Sequence, residues 1–131
     1  MEFIYDDPSE IRLPPEEVRI RDLQIRVLDE GRRVKVYKVY LEVDPFQKHP
    51  SADLTIIDPQ GKPVSNVSII ESMVRKMELT MHLRGKPLSG KHTLEAVLFY
   101  GNLIEPGELS QEPGSIERRV VDNSSLEFEL P

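Results

Sequence analysis

Hydrophobic positions along this chain recur with a period of two, in segments bounded by Pro, Gly, Asn and Asp. That period places every second side chain on one face of an extended backbone, so it predicts β-strands. Val18 and Ile20 alternate, and Leu23, Ile25 and Val27 resume in the opposite phase, which predicts a bulge or a change of sheet near Asp22. After a turn at "DEGRR", Val34 and Val36 open a second strand. Tyr37, Val39, Leu41 and Val43 continue it in shifted phase up to Pro45, predicting a second bulge there. Leu54 and Ile56 mark a short strand closed by "DPQG", where Pro59 presets a turn and Gly61 supplies positive φ. Val64, Val67 and Ile69 follow.

The segment "ESMVRKMELTMHLRG" is the one stretch with a helical rhythm, because Met73, Met77 and Met81 recur every four residues. A strand fits it better. Met77, Leu79, Met81 and Leu83 alternate with Glu78, Thr80, His82 and Arg84, and the methionine stripe then reads as core packing. In "HTLEAVLFYG", His92, Leu94, Ala96 and Leu98 share a face. A last strand spans Ile116 to Leu130, ending with Leu126, Phe128 and Leu130 in alternation. Seven short strands without a helix predict an all-β, two-sheet antiparallel sandwich.

A chain of 131 residues, 38% hydrophobic and 31% charged, suits one such domain. The expected organisation is a lead at 1–16 and a sandwich at 17–131, with a long loop at 101–116. No apolar run is long enough for a membrane helix, and the acidic start "MEFIYDDPSE" has no secretory-signal pattern, so a cytoplasmic location without membrane association is expected. The absence of cysteine removes disulfides, thiol nucleophiles and most structural zinc sites. The net charge of −6 is unevenly spread: residues 1–17 and 105–131 are acidic, and the stretch between them is mildly basic. Acidic ends that fold back on a basic body explain this better than an acidic partner does. Nucleic-acid binding is not expected, because no basic cluster is interleaved with aromatics.

"GKPLSGKHT", Gly85 to Thr93, has the glycine spacing of a phosphate-binding loop. His92 occupies the place where that loop needs Ser or Thr to hold magnesium, and both flanks read as strands, so the stretch is expected to be a hairpin turn. His49, His82 and His92 show no ligand spacing, and no metal or other cofactor is expected. The acid pairs Asp6–Asp7 and Asp29–Glu30 lack the dense oxygen ligands of a calcium loop. Glu71 is expected to pair with Arg75 or Lys76 across a hairpin. No serine has the flanks of a nucleophile elbow, and catalysis is not expected.

Gly90, His92, Leu94 and Ala96 together resemble the turn and strand of immunoglobulin-like domains, fibronectin type III and macroglobulin-type modules included. "LTIIDPQGKPV" is similar to the strand, turn and strand that such modules carry. The resemblance covers about residues 17–130. It implies a tyrosine at the corner, where this chain has His92, and so leaves the tyrosine's anchoring hydrogen bond open.

A non-catalytic protein-interaction or structural module is the function expected. The alternative is a small-ligand or carbohydrate-binding sandwich that uses the loops at one end. The expected partner is another protein or a second copy of the chain. The candidate contact residues are Phe3, Ile4 and Tyr5, an apolar island in the acidic lead, and Leu103, Ile104 and Leu109 in the long loop. The island can add to a free strand edge, on its own body or a neighbour's, or stay frayed.

Overall fold

Seven strands form, each over a segment whose apolar residues alternate. The computed structural model describes residues 11–30, 35–83, 89–103 and 116–130. In chain order the strands are β1 (Ile20–Glu30), β2 (Lys35–Val43), β3 (Ser51–Ile57), β4 (Pro63–Ile69), β5 (Lys76–Leu83), β6 (Gly90–Leu103) and β7 (Ile116–Leu130). The only helical element among the described residues is a single 3-10 turn, Pro15–Glu17. Two antiparallel sheets result, one ordered β1-β2-β5 and the other β4-β3-β6-β7. The seven-strand immunoglobulin constant type places its fourth strand in the sheet of the first, second and fifth; here the fourth strand joins the other sheet, paired with the third.

The inner faces supply one core. Tyr37, Val39, Leu41, Val43, Met77, Met81 and Leu83 enter it from the three-stranded sheet, and Ala52, Leu54, Ile56, Leu94, Ala96 and Leu98 from the other. Each is at most 5% exposed. Full burial of one such aliphatic side chain contributes about 1.5–3 kcal/mol, so the two inner faces hold the sheets together without disulfides. The edges are tied as well, since the amide of Ile20 on β1 donates to Asp122 on β7 at 2.9 Å.

Phase shifts in the sequence correspond to extra residues in the ladders, though not always in the expected strand. The pairing slips between Ile20 and Asp22, where the sequence predicts it. The second slip lies in β1 instead of β2: Val27 faces Tyr37 and Asp29 faces Val36, which makes Leu28 the extra residue. β2 itself pairs with β5 without interruption. Met73 does not join the methionine stripe; it is 77% exposed in the connection before β5, while Met77 and Met81 are buried.

Two connections differ from expectation because they change sheets. Residues 84–89 join β5 to β6, and residues 70–75 join β4 to β5; neither pair is hydrogen-bonded, so neither connection is a hairpin. The expected loop at 101–116 is also shorter. Gly101 to Leu103 belong to β6, and Leu103 pairs with Ile116 at the start of β7. The lead is fastened to the body by its last residues: Leu13 forms a parallel bridge with Phe46, and its amide donates to Pro45 at 2.9 Å.

Candidate functional site

The outer face of the three-stranded sheet carries a depression of about 430 Å³, lined by Asp22, Gln24, Ile25, Arg26, Lys38, Tyr40 and Glu78. Register explains why these residues meet. Gln24 on β1 lies opposite Tyr40 on β2, which lies opposite Glu78 on β5; the next row is Arg26, Lys38 and Thr80. Alternation sends all of them to the side away from the core.

Polar contacts hold this face in place. The Tyr40 hydroxyl donates to Glu42 Oε1 at 2.7 Å, and Arg75 reaches the other oxygen of that carboxylate at 3.4 Å. That hydrogen bond to Glu42, reinforced by burial and by the negative charge beside it, raises the Tyr40 phenol to about 12. The hydrogen bond to Glu42 holds the ring in place on this face. Gln24 Nε2 donates to Asp22 at 2.6 Å, and Lys38 pairs with Glu78 at 3.1 Å. Arg26 has no ion-pair partner among the described residues, so the face presents one uncommitted cation next to an aromatic ring.

One end of the sandwich forms a second surface. There the segment 44–50 leads from β2 to β3, the segment 70–75 crosses between the sheets, and β6 and β7 project past the start of β3. The crossing segment is held rigidly. The Glu71 amide donates to Ser51 Oγ at 2.9 Å, the Ser72 amide to Pro50 at 2.7 Å, and His49 Nδ1 to the Ser72 carbonyl at 2.8 Å. Glu71 takes a left-handed conformation, φ 47°, to make that corner. Its expected ion pair across a hairpin is not found among the described residues, where Arg75 turns to Glu42. Ile70, Met73 and Val74 on this segment are 63%, 77% and 52% exposed. Near by, the Tyr100 hydroxyl donates to the Lys48 carbonyl at 3.0 Å, and burial raises that phenol to about 12.

The phosphate-loop resemblance dissolves at the opposite end. Gly90 opens β6 with φ 117°, His92 is 1% exposed, and Lys91 pairs with Glu127 on β7 at 3.1 Å. Gly90 leads into a central antiparallel strand, and not into the helix that a phosphate loop requires. His82 points outward on β5 and His49 sits at the far end, so the three histidines do not converge. Of the contact residues expected from sequence, Phe3, Ile4, Tyr5, Ile104 and Leu109 lie outside the described residues. Leu103 ends β6, its side chain likewise outside them. Sequence reasoning missed Tyr40 and its neighbours, whose alternating polar residues look like any solvated strand face until register sets three strands side by side.

No protein-family profile matches the chain, and no curated protein sequence matches it. Solved structures do share its fold. A β-glucuronidase from Bifidobacterium dentium, complexed with coumarin-3-O-glucuronide, superposes with a TM-score of 0.59 at 15% identity, over 86% of this chain and 17% of its own. A glycosyl hydrolase family 2 member from Bacteroides cellulosilyticus gives 0.58 at 9% identity, over 86% and 14%. A β-glycosidase from Bacteroides vulgatus gives 0.57 at 14% identity, over 86% and 13%. The chain therefore spans only a small part of the length of each chain it matches. At such identities the likeness is one of fold: an all-β sandwich that glycosidases contain as one part among several.

Proposed function

We propose that this chain is a non-catalytic β-sandwich module that binds carbohydrate on the outer face of the β1-β2-β5 sheet. The observation that carries the reading is the row Gln24, Tyr40 and Glu78, bordered by Asp22, Arg26 and Lys38. A sugar offers hydroxyls that both donate and accept, on a ring with an apolar C–H face. Planar amide, carboxylate and guanidinium groups match the first, and a fixed aromatic ring matches the second. The glycosidase setting of the similar folds supports the ligand class, and the glucuronide in one of them supports a sugar acid, whose carboxylate suits the uncommitted Arg26. The site is a strand face, and not the end loops that the sequence suggests for such a ligand. The resemblance to fibronectin type III and macroglobulin-type modules belongs to the same reading, as a module carried beside other domains.

Isothermal titration with glucuronic acid, glucose and their short oligomers tests it. Binding of at least one sugar in the millimolar range or tighter, abolished in Tyr40→Ala, is expected; absence of heat with every sugar would overturn it. Arg26→Ala should weaken an acidic sugar and leave a neutral one unaffected.

A second reading, a protein-interaction module, is favoured by one observation: the rigid display of Ile70, Met73 and Val74 at the end of the sandwich.

A further inference from the structure

Three large apolar side chains on one short segment are costly to leave in water. At about 25 cal/mol per Å² of apolar surface, covering them stabilises whatever docks there. They are also held ready. The Glu71 and Ser72 amides and the Ser72 carbonyl are all bonded to the body, so an occupant meets a formed surface and orders little on arrival. Two exposed cations, Lys48 and Lys76, flank the segment, and neither has an ion-pair partner among the described residues. The site accordingly suits an apolar segment carrying carboxylates.

We propose that its occupant is the chain's own N-terminal run Phe3, Ile4 and Tyr5, which lies outside the described residues. Composition matches: residues 1–10 contain Glu2, Asp6, Asp7 and Glu10 with no Lys or Arg. Position matches too. The chain reaches this end of the sandwich at Leu13, bridged to Phe46; the Phe46 ring packs against His49 with centroids 5.6 Å apart, and His49 holds the Ser72 carbonyl. Only two side-chain contacts separate the lead from the apolar rim. Five residues link Tyr5 to Ile11, a reach of roughly 20 Å when extended, and Pro8 biases that link toward extension. The inference does not depend on sugar binding, which uses a different face.

The absence of native cysteine allows a direct test in the full chain. Phe3→Cys, Ile4→Cys and Tyr5→Cys are each combined with Met73→Cys, and each is also combined with Gln60→Cys in the turn at the opposite end. All are oxidised with glutathione disulfide, and a disulfide closes only where Cα atoms come within about 7 Å. The docked arm predicts that at least one Met73 pair closes, its second thiol displacing glutathione so that the monomer ends lighter by two hydrogens with no glutathione attached, at several-fold higher yield than its Gln60 control. Lys48→Glu with Lys76→Glu should lower that yield several-fold. Equal yields at both ends, closure of no Met73 pair, or closure only between chains would overturn the proposal. Unchanged circular dichroism and melting of the reduced variants guard against misfolding as the cause.

Discussion

The Nδ1 atom of His92 donates a hydrogen bond to the carbonyl of Gly90, two residues upstream, at 3.0 Å. An imidazole thus anchors the strand entry to its own backbone. Its ring packs on Phe128 with centroids 5.7 Å apart, and Phe128 in turn packs on Tyr37 at 5.3 Å. His92 Nε2, buried, has no hydrogen-bond partner among the described residues. The ring therefore matters through its volume and one hydrogen bond. His92→Ala should lower the unfolding free energy by about 2–4 kcal/mol, as cavity-forming core substitutions do. His92→Phe keeps the ring and removes the unsatisfied nitrogen, so its loss should stay within about 1 kcal/mol. Urea unfolding measures both; equal losses would contradict a packing role.

Glu71 should prove to be a backbone residue and not a charge. Its φ of 47° costs a non-glycine residue about 1 kcal/mol or more. Glu71→Gly is expected to raise stability by about 0.5 kcal/mol, Glu71→Ile to lower it by more than about 1 kcal/mol, and Glu71→Gln to change it little. The ordering of the three denaturation midpoints checks this. A Gln variant as damaging as the Ile one would restore the ion-pair reading.

Much of this architecture is legible in the chain, and what is not has a physical cause. Alternation marks the strands because burial acts on each side chain locally. The bulge near Asp22 is visible for the same reason, as a phase change within one strand. The slip at Leu28 is misplaced because a phase change at Val36 and Tyr37 does not say which of two paired strands holds the extra residue. Sheet membership is equally hidden. Leu83 and Gly90 are close in sequence yet end and begin strands in different sheets, an outcome set by β5 pairing with β2 while β6 pairs with β3 and β7. The Tyr40 face stays silent in the sequence because its members come from residues 22 to 78.

Asp44 joins the start of β1 to the end of β2. Only 3% exposed, it accepts the Arg19 amide at 3.0 Å and pairs with Arg21, the extra residue of the first bulge. Removing the buried carboxylate takes away the acceptor of the part-buried Arg19 amide, so Asp44→Ala should cost about 1–3 kcal/mol. Arg21→Ala should cost less than about 1 kcal/mol, because that side chain is 63% exposed. Paired urea melts decide it; a larger loss for Arg21→Ala would contradict the assignment.

Alkaline pH should destabilise the fold in a defined window. A side-chain hydrogen bond to Glu42 pushes the Tyr40 phenol, and burial the Tyr100 phenol, up to about 12 from 10. An unfolded chain releases these protons first, so stability is full below pH 10 and falls as pH rises from 10 toward 12. Tyr100→Phe and Tyr40→Phe should each flatten that fall, most of all together. Denaturation midpoints from pH 9 to 11.5 would show it, and an unchanged slope in the double variant would contradict it.

The central claim is that the sugar site lies on the strand face built around Tyr40. Backbone amide shifts of labelled protein, followed by NMR during titration with glucuronate and its oligomers, test it most directly. Saturating shifts are expected at Gln24, Arg26, Lys38, Tyr40 and Glu78, with residues 44–50 and 70–75 unmoved. Shifts confined to those end segments, or none on the strand face at saturating sugar, would contradict it.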